Sequence, residues 1–180
     1  MLHKFAPDLL PQHRKTNCSQ MKHLDFGAGM GGSATYSNIL LEASYTAIES
    51  HQWSYDIQRM FFGKMSDKNR PYLDVLAAES MELAPQKLKN EILSNKYAIK
   101  QIPSWFFEEI EDNSYNLVTA TNVLNELNTS AIIYMLANSN RVLQKNGYVY
   151  FRDSGKLKPG RHLIDYDRVL IEHLGFELIH

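Results

Sequence analysis

The stretch that decides the fold is Leu24-Asp25-Phe26-Gly27-Ala28-Gly29-Met30-Gly31-Gly32, in which a short apolar segment leads directly into a run of glycines. The segment that begins at Lys22 predicts a strand, and Ser33 begins a stretch with helical spacing. The first, third and sixth residues of the glycine run match G-x-G-x-x-G, the spacing of nucleotide-binding loops. Such glycines adopt positive φ values and let the backbone approach a ligand closely. We therefore expect a ligand-binding loop at the end of the first strand.

Strands and helices alternate along the rest of the chain. The further strands that we expect are Ser44–Glu49, Tyr97–Gln101, Tyr115–Thr121, Tyr148–Arg152 and Phe176–Ile179. The expected helices are one from Ser33 with Tyr36, Ile39 and Leu40 on one face, Tyr55–Met65, one or two between Pro71 and Asn95 with a break at Pro85, Ser130–Leu143, and Asp165–Leu174. This alternation predicts an α/β fold, a doubly wound and mostly parallel sheet with helices on both faces. Ligands bind such sheets where the strand order reverses, and we expect the glycine loop there.

The 180 residues suit one main domain. Residues 1–20 are expected to form an N-terminal arm, because Pro7 and Pro11 interrupt them. Residues 21–180 are expected to form a Rossmann-like domain with a helical insertion at about 53–96, where extra helices follow the second strand. The C-terminal strand pair is expected to be shortened, since only 176–179 is available for it.

The composition narrows the function classes. Nineteen basic and 20 acidic side chains give a net charge of −1, which provides no overall field for a polyanion, so nucleic acid is disfavoured as a partner. The single cysteine, Cys18, cannot form an internal disulfide, and we expect a cytoplasmic protein. No apolar run reaches the roughly 20 residues of a membrane-spanning helix. The seven histidines lack metal-ligand spacing, and no metal site is expected.

Two acidic residues stand at strand ends. Asp25 lies two residues before the first glycine, where a buried carboxylate needs a partner such as a ligand ammonium or the N–H groups of the loop. Glu49 closes the second strand, 22 positions after Gly27, and can accept hydrogen bonds from both hydroxyls of a ribose. Nicotinamide cofactors use an acid at this place as well, so Glu49 alone does not identify the ligand.

Three segments, taken together, resemble class I methyltransferases that use S-adenosylmethionine. They are 24–29, 113–127 (NSYNLVTATNVLNEL) and 140–151 (NRVLQKNGYVYF), in the order that this family has, and the resemblance covers about 21–153. It implies S-adenosylmethionine as the cofactor. It places the following residues at the cofactor: Asp25, Gly27, Ala28 and Gly29 at the loop, Glu49 at the ribose, Ser104 and Trp105 at the adenine, and the backbone of Thr121 and Asn122 at the methionine end.

The sequence departs from the family pattern in two places. Ser104 stands where the family often has an acid that holds the adenine, and Trp105 with the two following phenylalanines is also typical of a core segment. Asn116 replaces a common acid, which is expected to change a structural contact.

The resemblance implies methyl transfer, and we expect a small-molecule acceptor. The Asn/Asp-Pro-Pro-Tyr type motif of enzymes that methylate nucleic-acid amino groups is absent, since Thr121-Asn122-Val123-Leu124 follows the fourth-strand motif. Glu126, Asp153 and His162 are candidate bases, and none of them stands out, so the catalytic residues are left unassigned.

Other interpretations are a non-catalytic methyltransferase-like binding module and an NAD-binding oxidoreductase. A short resemblance over Asn125-Glu126-Leu127 and 152–180 concerns methyltransferase-like proteins that assist mitochondrial ribosome assembly, but the cysteine ligands of a metal cluster are missing. A homodimer could form through the helical insertion or through an open sheet edge.

Overall fold

The computed structural model describes residues 21–80, 85–152 and 168–177, and these contain a six-stranded sheet. The strands are β1 (Lys22–Phe26), β2 (Ser44–Glu49), β3 (Tyr72–Asp74), β4 (Ile99–Pro103), β5 (Tyr115–Thr121) and β6 (Leu143–Arg152). All neighbouring strands are parallel, in the order β3-β4-β2-β1-β5-β6. The order reverses between β1 and β5, so the loop after β1 lies at the switch point, as the sequence predicts.

Helical segments connect the strands. They are α1 (Ser33–Thr35) with a π-helical turn (Tyr36–Leu40), α2 (Gln52–Met65), α3 (Val75–Ser80), α4 (Pro85–Leu93), a 3-10 helix (Ser104–Glu109), α5 (Thr129–Val142) and a second π-helical turn (Val169–His173). The Asn128 side chain caps α5 by accepting a hydrogen bond from the N–H of Ala131. Helices α1 and α2 pack on one face of the sheet, and α4 and α5 on the other.

Strands β1, β2 and β5 have the bounds that the sequence predicts, because each is an apolar run of β-forming residues next to a clear turn signal. Helices α2 and α5 begin three residues and one residue earlier than expected, and β6 follows α5 without a loop.

The segment between α2 and the expected third strand was predicted wrongly in part. It contains a strand, β3, as well as two short helices, and the expected third strand is the fourth in the chain and begins at Ile99 rather than Tyr97. Three residues are too few for a periodic pattern, and β3 forms because β4 offers it a parallel edge.

The two ends of the chain are described only in part. A last strand was expected at Phe176–Ile179. Its first two residues, Phe176 and Glu177, do not form a strand. The N-terminal arm, the break before Pro85, the start of the expected helix at Asp165, and residues 178–180 lie outside the described residues.

The expected apolar face of the first helix is also wrong. Tyr36 and Ile39 are 45% and 48% exposed, whereas Ser37 and Asn38 are buried. A π-helical turn has more residues per turn than an α-helix, so it moves the buried face away from the positions that α-helical spacing predicts. Asn38 is held there by donating from its amide nitrogen to the carbonyl oxygens of Ala43 (3.1 Å) and Ala98 (3.2 Å).

In the described parts of the chain no helix is long and apolar enough to cross a membrane. The same residues contain no cluster of three or more histidine, cysteine or acidic side chains that could hold a metal ion.

The sheet buries one lysine without a carboxylate partner. Lys100 of β4 is 1% exposed, and its ammonium donates to the Ser44 hydroxyl at 3.1 Å. Burial, and to a lesser extent the charge of Lys22, lower the pKa of Lys100 to about 7. The folded protein therefore favours the neutral amine, so that protonation of Lys100 opposes folding.

We expect Lys100→Met to stabilise the protein at neutral and acidic pH. An unfolded lysine has a pKa of about 10.4, so the penalty is absent above that pH, grows as the pH falls towards 7, and is complete below it. Methionine has a similar length and no charge, and the gain in the free energy of unfolding should be on the order of 2 kcal/mol at pH 6. Urea unfolding between pH 6 and 10.5 measures it. A gain that does not shrink as the pH rises would contradict the assignment, and Lys64→Met, at an exposed position of α2, is the control.

Candidate functional site

Four strand ends form the site. In the register of the sheet, Phe26 at the end of β1 lies beside Ile48 of β2 and Ala120 of β5, and Glu49 lies beside Pro103 of β4. The glycine loop, Glu49, the Ser104-Trp105 segment and the Thr121-Asn122 segment therefore meet at one edge of the sheet. The structure brings together all the residues that the resemblance placed at the cofactor.

The glycine loop turns tightly over the switch point. Gly27 has φ +66°, and a Cβ there would lie 2.4 Å from Cγ2 of Val123, so the loop after β1 is packed directly on the loop after β5. The amide N–H groups of Gly27 and Ala28 both donate to the carbonyl oxygen of Ile48, at 2.9 and 3.2 Å. Gly29 has φ +56° and open space where its side chain would be. This is the position at which a ligand can approach the backbone.

The third glycine that the loop requires is Gly31 rather than Gly32. Gly31 has φ +80°, and a Cβ there would lie 2.6 Å from the Phe62 ring. Gly32 has φ −57° and no atom within 4 Å of a Cβ, so any small residue fits there. The G-x-G-x-x-G spacing therefore matches the sequence but not the backbone geometry, which needs glycine at 27, 29 and 31.

Glu49 is joined to the loop by its carboxylate. One carboxylate oxygen accepts from the N–H of Gly29 at 3.0 Å, and the other accepts from Ser50 and His51 at 2.8 and 2.9 Å. The side chain is 5% exposed. A carboxylate has about four acceptor positions, so three donors leave one for a ligand hydroxyl.

Asp25 finds its partners in two side-chain hydroxyls. It is 2% exposed, and its carboxylate oxygens accept from the hydroxyls of Tyr45 (2.8 Å) and Thr119 (2.6 Å). The sequence led us to expect a ligand ammonium or the N–H groups of the loop as its partners. Burial and the Asp25 charge raise the pKa of Tyr45 well above its ordinary value, so the phenol stays protonated and donates. Asp25 thus ties the end of β1 to β2 and β5, two residues before the glycine loop begins.

His23 extends this group of polar side chains. Its Nε2 lies 2.8 Å from the Thr119 hydroxyl oxygen, and its Nδ1 lies 2.9 Å from the hydroxyl oxygen of Ser37 in the π-helical turn. Burial lowers the pKa of His23 to about 4, against a smaller opposite effect of Asp25, so the imidazole is neutral at physiological pH.

The aromatic segment after β4 divides between core and surface. Phe106 and Phe107 are buried, whereas Trp105 is 57% exposed and contacts Phe106 edge-to-face at 5.7 Å between ring centroids. Ser104 is half-buried, one residue beyond the partner of Glu49. The interpretation of this segment as part of the core is thus correct for the two phenylalanines. Trp105 is exposed at the edge of the sheet, where a ligand can contact it.

The segment after β5 forms the opposite wall. Asn122 has φ +58°, and its N–H donates to the carbonyl oxygen of Arg152 at 2.6 Å. Thr121 and Asn122 are exposed, and Val123 behind them packs on Gly27. Of the candidate bases, Glu126 is exposed beyond this segment. Asp153 and His162 lie outside the described residues.

The departure at Asn116 is structural, as expected. Its Oδ1 accepts from the N–H of Lys22 at 2.8 Å, and its amide nitrogen donates to Gln144 at 2.7 Å, so it ties β5 to both neighbouring strands.

Four residues around the loop were not singled out from the sequence: His23, Tyr45, Gln58 and Thr119. Gln58 of α2 is buried and donates from its amide nitrogen to the carbonyl oxygen of Gly29 at 2.6 Å. For the three strand residues a signal was present. Polar side chains inside buried strands need partners, and the alternation of strands places those at 23 and 25 on one face. Nothing in the sequence points to Gln58.

The strand order, with a glycine loop at the point of reversal, defines a doubly wound, Rossmann-like α/β protein. No protein-family model matches the sequence, and no curated protein matches it. Solved structures do match.

A Galdieria sulphuraria protein assigned as a sarcosine dimethylglycine methyltransferase superposes with a TM-score of 0.53 and 17% identity, over 82% of this chain and 46% of that one. Phosphoethanolamine N-methyltransferase 2 of Haemonchus contortus superposes with a TM-score of 0.52 and 13% identity, over 89% of this chain and 30% of that one. Geranyl diphosphate C-methyltransferase of Streptomyces coelicolor superposes with a TM-score of 0.52 and 9% identity, over 83% of this chain and 46% of that one. The chain therefore has the class I methyltransferase fold. It spans less than half the length of each of these proteins.

Proposed function

We propose that the carboxyl edge of the sheet binds S-adenosylmethionine and that the protein is a methyltransferase. The observation that carries the proposal is the junction of Gly29 and Glu49. At this junction a glycine with positive φ, open space beside its Cα and a bound carboxylate stand together at the switch point. The three superposed proteins were solved as methyltransferases or assigned as such, and two of them were crystallised with S-adenosylhomocysteine.

The residues present fit this cofactor. Open space at Gly29 provides room beside the backbone, and the free acceptor position of Glu49 suits a ribose hydroxyl. Trp105, two residues after the register partner of Glu49, offers an exposed aromatic surface for the adenine. Thr121 and Asn122 are exposed immediately before Val123, which packs on Gly27, and they suit the methionine end. Asp25 contributes its negative charge from beneath the loop, towards a ligand that carries an ammonium and a sulfonium.

When bound, S-adenosylmethionine supplies a methyl group on a positively charged sulfur that is already activated for in-line displacement. The task left to the chain is to hold and align both reactants and to keep the cofactor's charge compensated. Obligatory proton-transfer residues are not needed for this, which agrees with the absence of a dominant base among the described residues at the edge.

We propose a small molecule as the methyl acceptor. The net charge of −1 provides no general attraction for nucleic acid. Exposed Met30 in the loop and exposed Trp53 at the start of α2 flank the edge, and apolar side chains of this kind suit a compact, partly apolar acceptor.

Isothermal titration calorimetry with S-adenosylmethionine and S-adenosylhomocysteine tests the proposal. We expect one site with micromolar affinity for both, and thermal stabilisation that increases with ligand concentration. A folded sample that binds neither compound would contradict the proposal. Stabilisation by NAD(H) instead would support an oxidoreductase, and binding without turnover across a broad panel of acceptors would support a non-catalytic module.

A further inference from the structure

Five buried or half-buried side chains form a continuous hydrogen-bonded network beneath the glycine loop, which we call the polar network: His23, Asp25, Ser37, Tyr45 and Thr119. Its members come from β1, β2, β5 and the π-helical turn that follows the loop. The network therefore touches the chain on both sides of the loop, two residues before Gly27 and five residues after Gly32.

The direction of each hydrogen bond follows from the number of protons available. Thr119 has one hydroxyl proton, and the short 2.6 Å contact gives that proton to the acceptor-only carboxylate of Asp25. The Thr119 oxygen must then accept from Nε2 of His23 at 2.8 Å. A neutral imidazole carries a single N–H, so Nδ1 is an acceptor and takes the proton of Ser37 at 2.9 Å.

The network also closes on the helix that begins after the loop. The Tyr45 hydroxyl donates to Asp25, and Ser33, the first residue of α1, is close enough to lower the pKa of Tyr45 slightly against the larger effects of burial and Asp25. Ser37, in the π-helical turn, is thus joined to the same buried carboxylate through His23 and Thr119.

We propose that Thr119 and His23 are positioning residues of the cofactor site, which set the glycine loop against the wall formed by the end of β5. This inference rests on the proposed function. Thr119 lies two residues before Thr121 on the same strand, so the hydroxyl that holds Asp25 also fixes the distance between the two walls. Both side chains are buried, at 2% and 3% exposed, so neither lines the surface of the site. Each of them acts on the loop through Asp25. The network that they form allows only one arrangement of donors and acceptors.

Thr119→Val tests the proposal, because valine keeps the shape of threonine and removes the hydroxyl. The change leaves Nε2–H of His23 and one oxygen of Asp25 without a partner in a buried site. We expect the Kd for S-adenosylhomocysteine to rise at least tenfold. Thr119→Ser keeps the hydroxyl, and its Kd should remain within threefold of that of the unchanged protein. Ser37→Ala, at the far end of the hydrogen-bonded network, should give an intermediate loss of affinity.

A merely structural role is separated from positioning by a control on the same strand. Val118 is fully buried but faces the opposite side of the sheet, so Val118→Ala destabilises β5 without touching the network. At a temperature well below both unfolding midpoints, we expect Val118→Ala to bind with unchanged affinity and Thr119→Val to bind weakly. Equal affinities in the two variants would overturn the proposal.

The tautomer of His23 gives a second readout, which needs no ligand and no variant. Long-range ¹H–¹⁵N NMR spectra of the unchanged protein should show the proton of His23 on Nε2 and a neutral ring at pH 7. A proton on Nδ1 would reverse the order of donors and overturn the proposal. This result is independent of cofactor binding, so a protein that binds no S-adenosylhomocysteine but shows the Nε2–H tautomer would contradict the proposed function and leave the network intact.

Discussion

Gly27→Ala is expected to abolish measurable binding of S-adenosylhomocysteine and to destabilise the protein. Gly27 has φ +66°, which costs a residue with a Cβ roughly 1–2 kcal/mol. The added methyl would also lie 2.4 Å from Cγ2 of Val123, an overlap that costs about 1–3 kcal/mol more. The loop must move away from the end of β5 to relieve it. A Kd at least a hundredfold higher, and an unfolding midpoint lower by roughly 6–12 °C, should result.

Gly32→Ala is the matched control, since the same change is made five residues later. Gly32 has φ −57° and nothing within 4 Å of a Cβ. The affinity and the unfolding midpoint of the Gly32→Ala protein should therefore stay close to those of the unchanged protein. Adding Val123→Ala to Gly27→Ala removes the overlap but not the strained φ, and should restore part of the stability. Calorimetry and thermal unfolding measure all three. A Gly27→Ala protein that binds as well as Gly32→Ala would refute the packing of the two loops.

Glu49→Ala is expected to weaken binding of S-adenosylhomocysteine at least thirtyfold. The carboxylate accepts from three backbone N–H groups, those of Gly29, Ser50 and His51, between 2.8 and 3.0 Å. Its removal leaves these donors without their partner, at about 1–3 kcal/mol for each one that water cannot reach. It also removes the proposed acceptor of a ribose hydroxyl. A factor of ten in affinity corresponds to about 1.4 kcal/mol. Losing the ribose contact and part of the ordered loop structure is therefore enough to weaken binding thirtyfold.

Glu49→Gln separates the two contributions. The glutamine oxygen can still accept from the N–H groups of Ser50 and His51, but its NH2 group then faces the N–H of Gly29, and the side chain has lost its charge. We expect an approximately tenfold loss of affinity and a smaller fall in the unfolding midpoint than Glu49→Ala gives. If Glu49→Ala binds as tightly as the unchanged protein while its unfolding midpoint falls, Glu49 supports the loop alone and takes no part in binding the ligand.

The sequence predicted the central elements of the fold well, because local signals determine them. In β1 and β5, β-forming residues run up to a glycine or an asparagine, and in β2 they end at an acid three residues before a helix, so pattern and structure coincide. β3 escaped prediction because three residues carry no period, and its pairing with β4 depends on distant residues. The first helix was misread because a π-helical turn changes the spacing on which the expectation rested.

At the candidate site, the backbone geometry and the side-chain partners differ in part from what the sequence predicted. The spacing of glycines selected Gly32, whereas the backbone requires Gly31, because φ depends on the path of the turn and not on a letter pattern. The sequence predicted that a buried Asp25 needs hydrogen-bond partners, but it did not predict which residues supply them. Tyr45 and Thr119 lie 20 and 94 residues away along the chain, and only the order of the strands brings them to it.

The separation of Asp25 and Thr119 along the chain affects how the protein folds during its synthesis. β1 is an interior strand, flanked by β2 and by β5, and Thr119 follows Asp25 by 94 residues. At ordinary rates of synthesis, about 5 to 20 seconds pass on the ribosome between the two. During this interval a nascent chain can pair β1 with β2 alone, with one edge of β1 open and Asp25 lacking its second hydroxyl. Asp25 therefore gains its second hydroxyl, and β1 its second neighbouring strand, only when β5 docks.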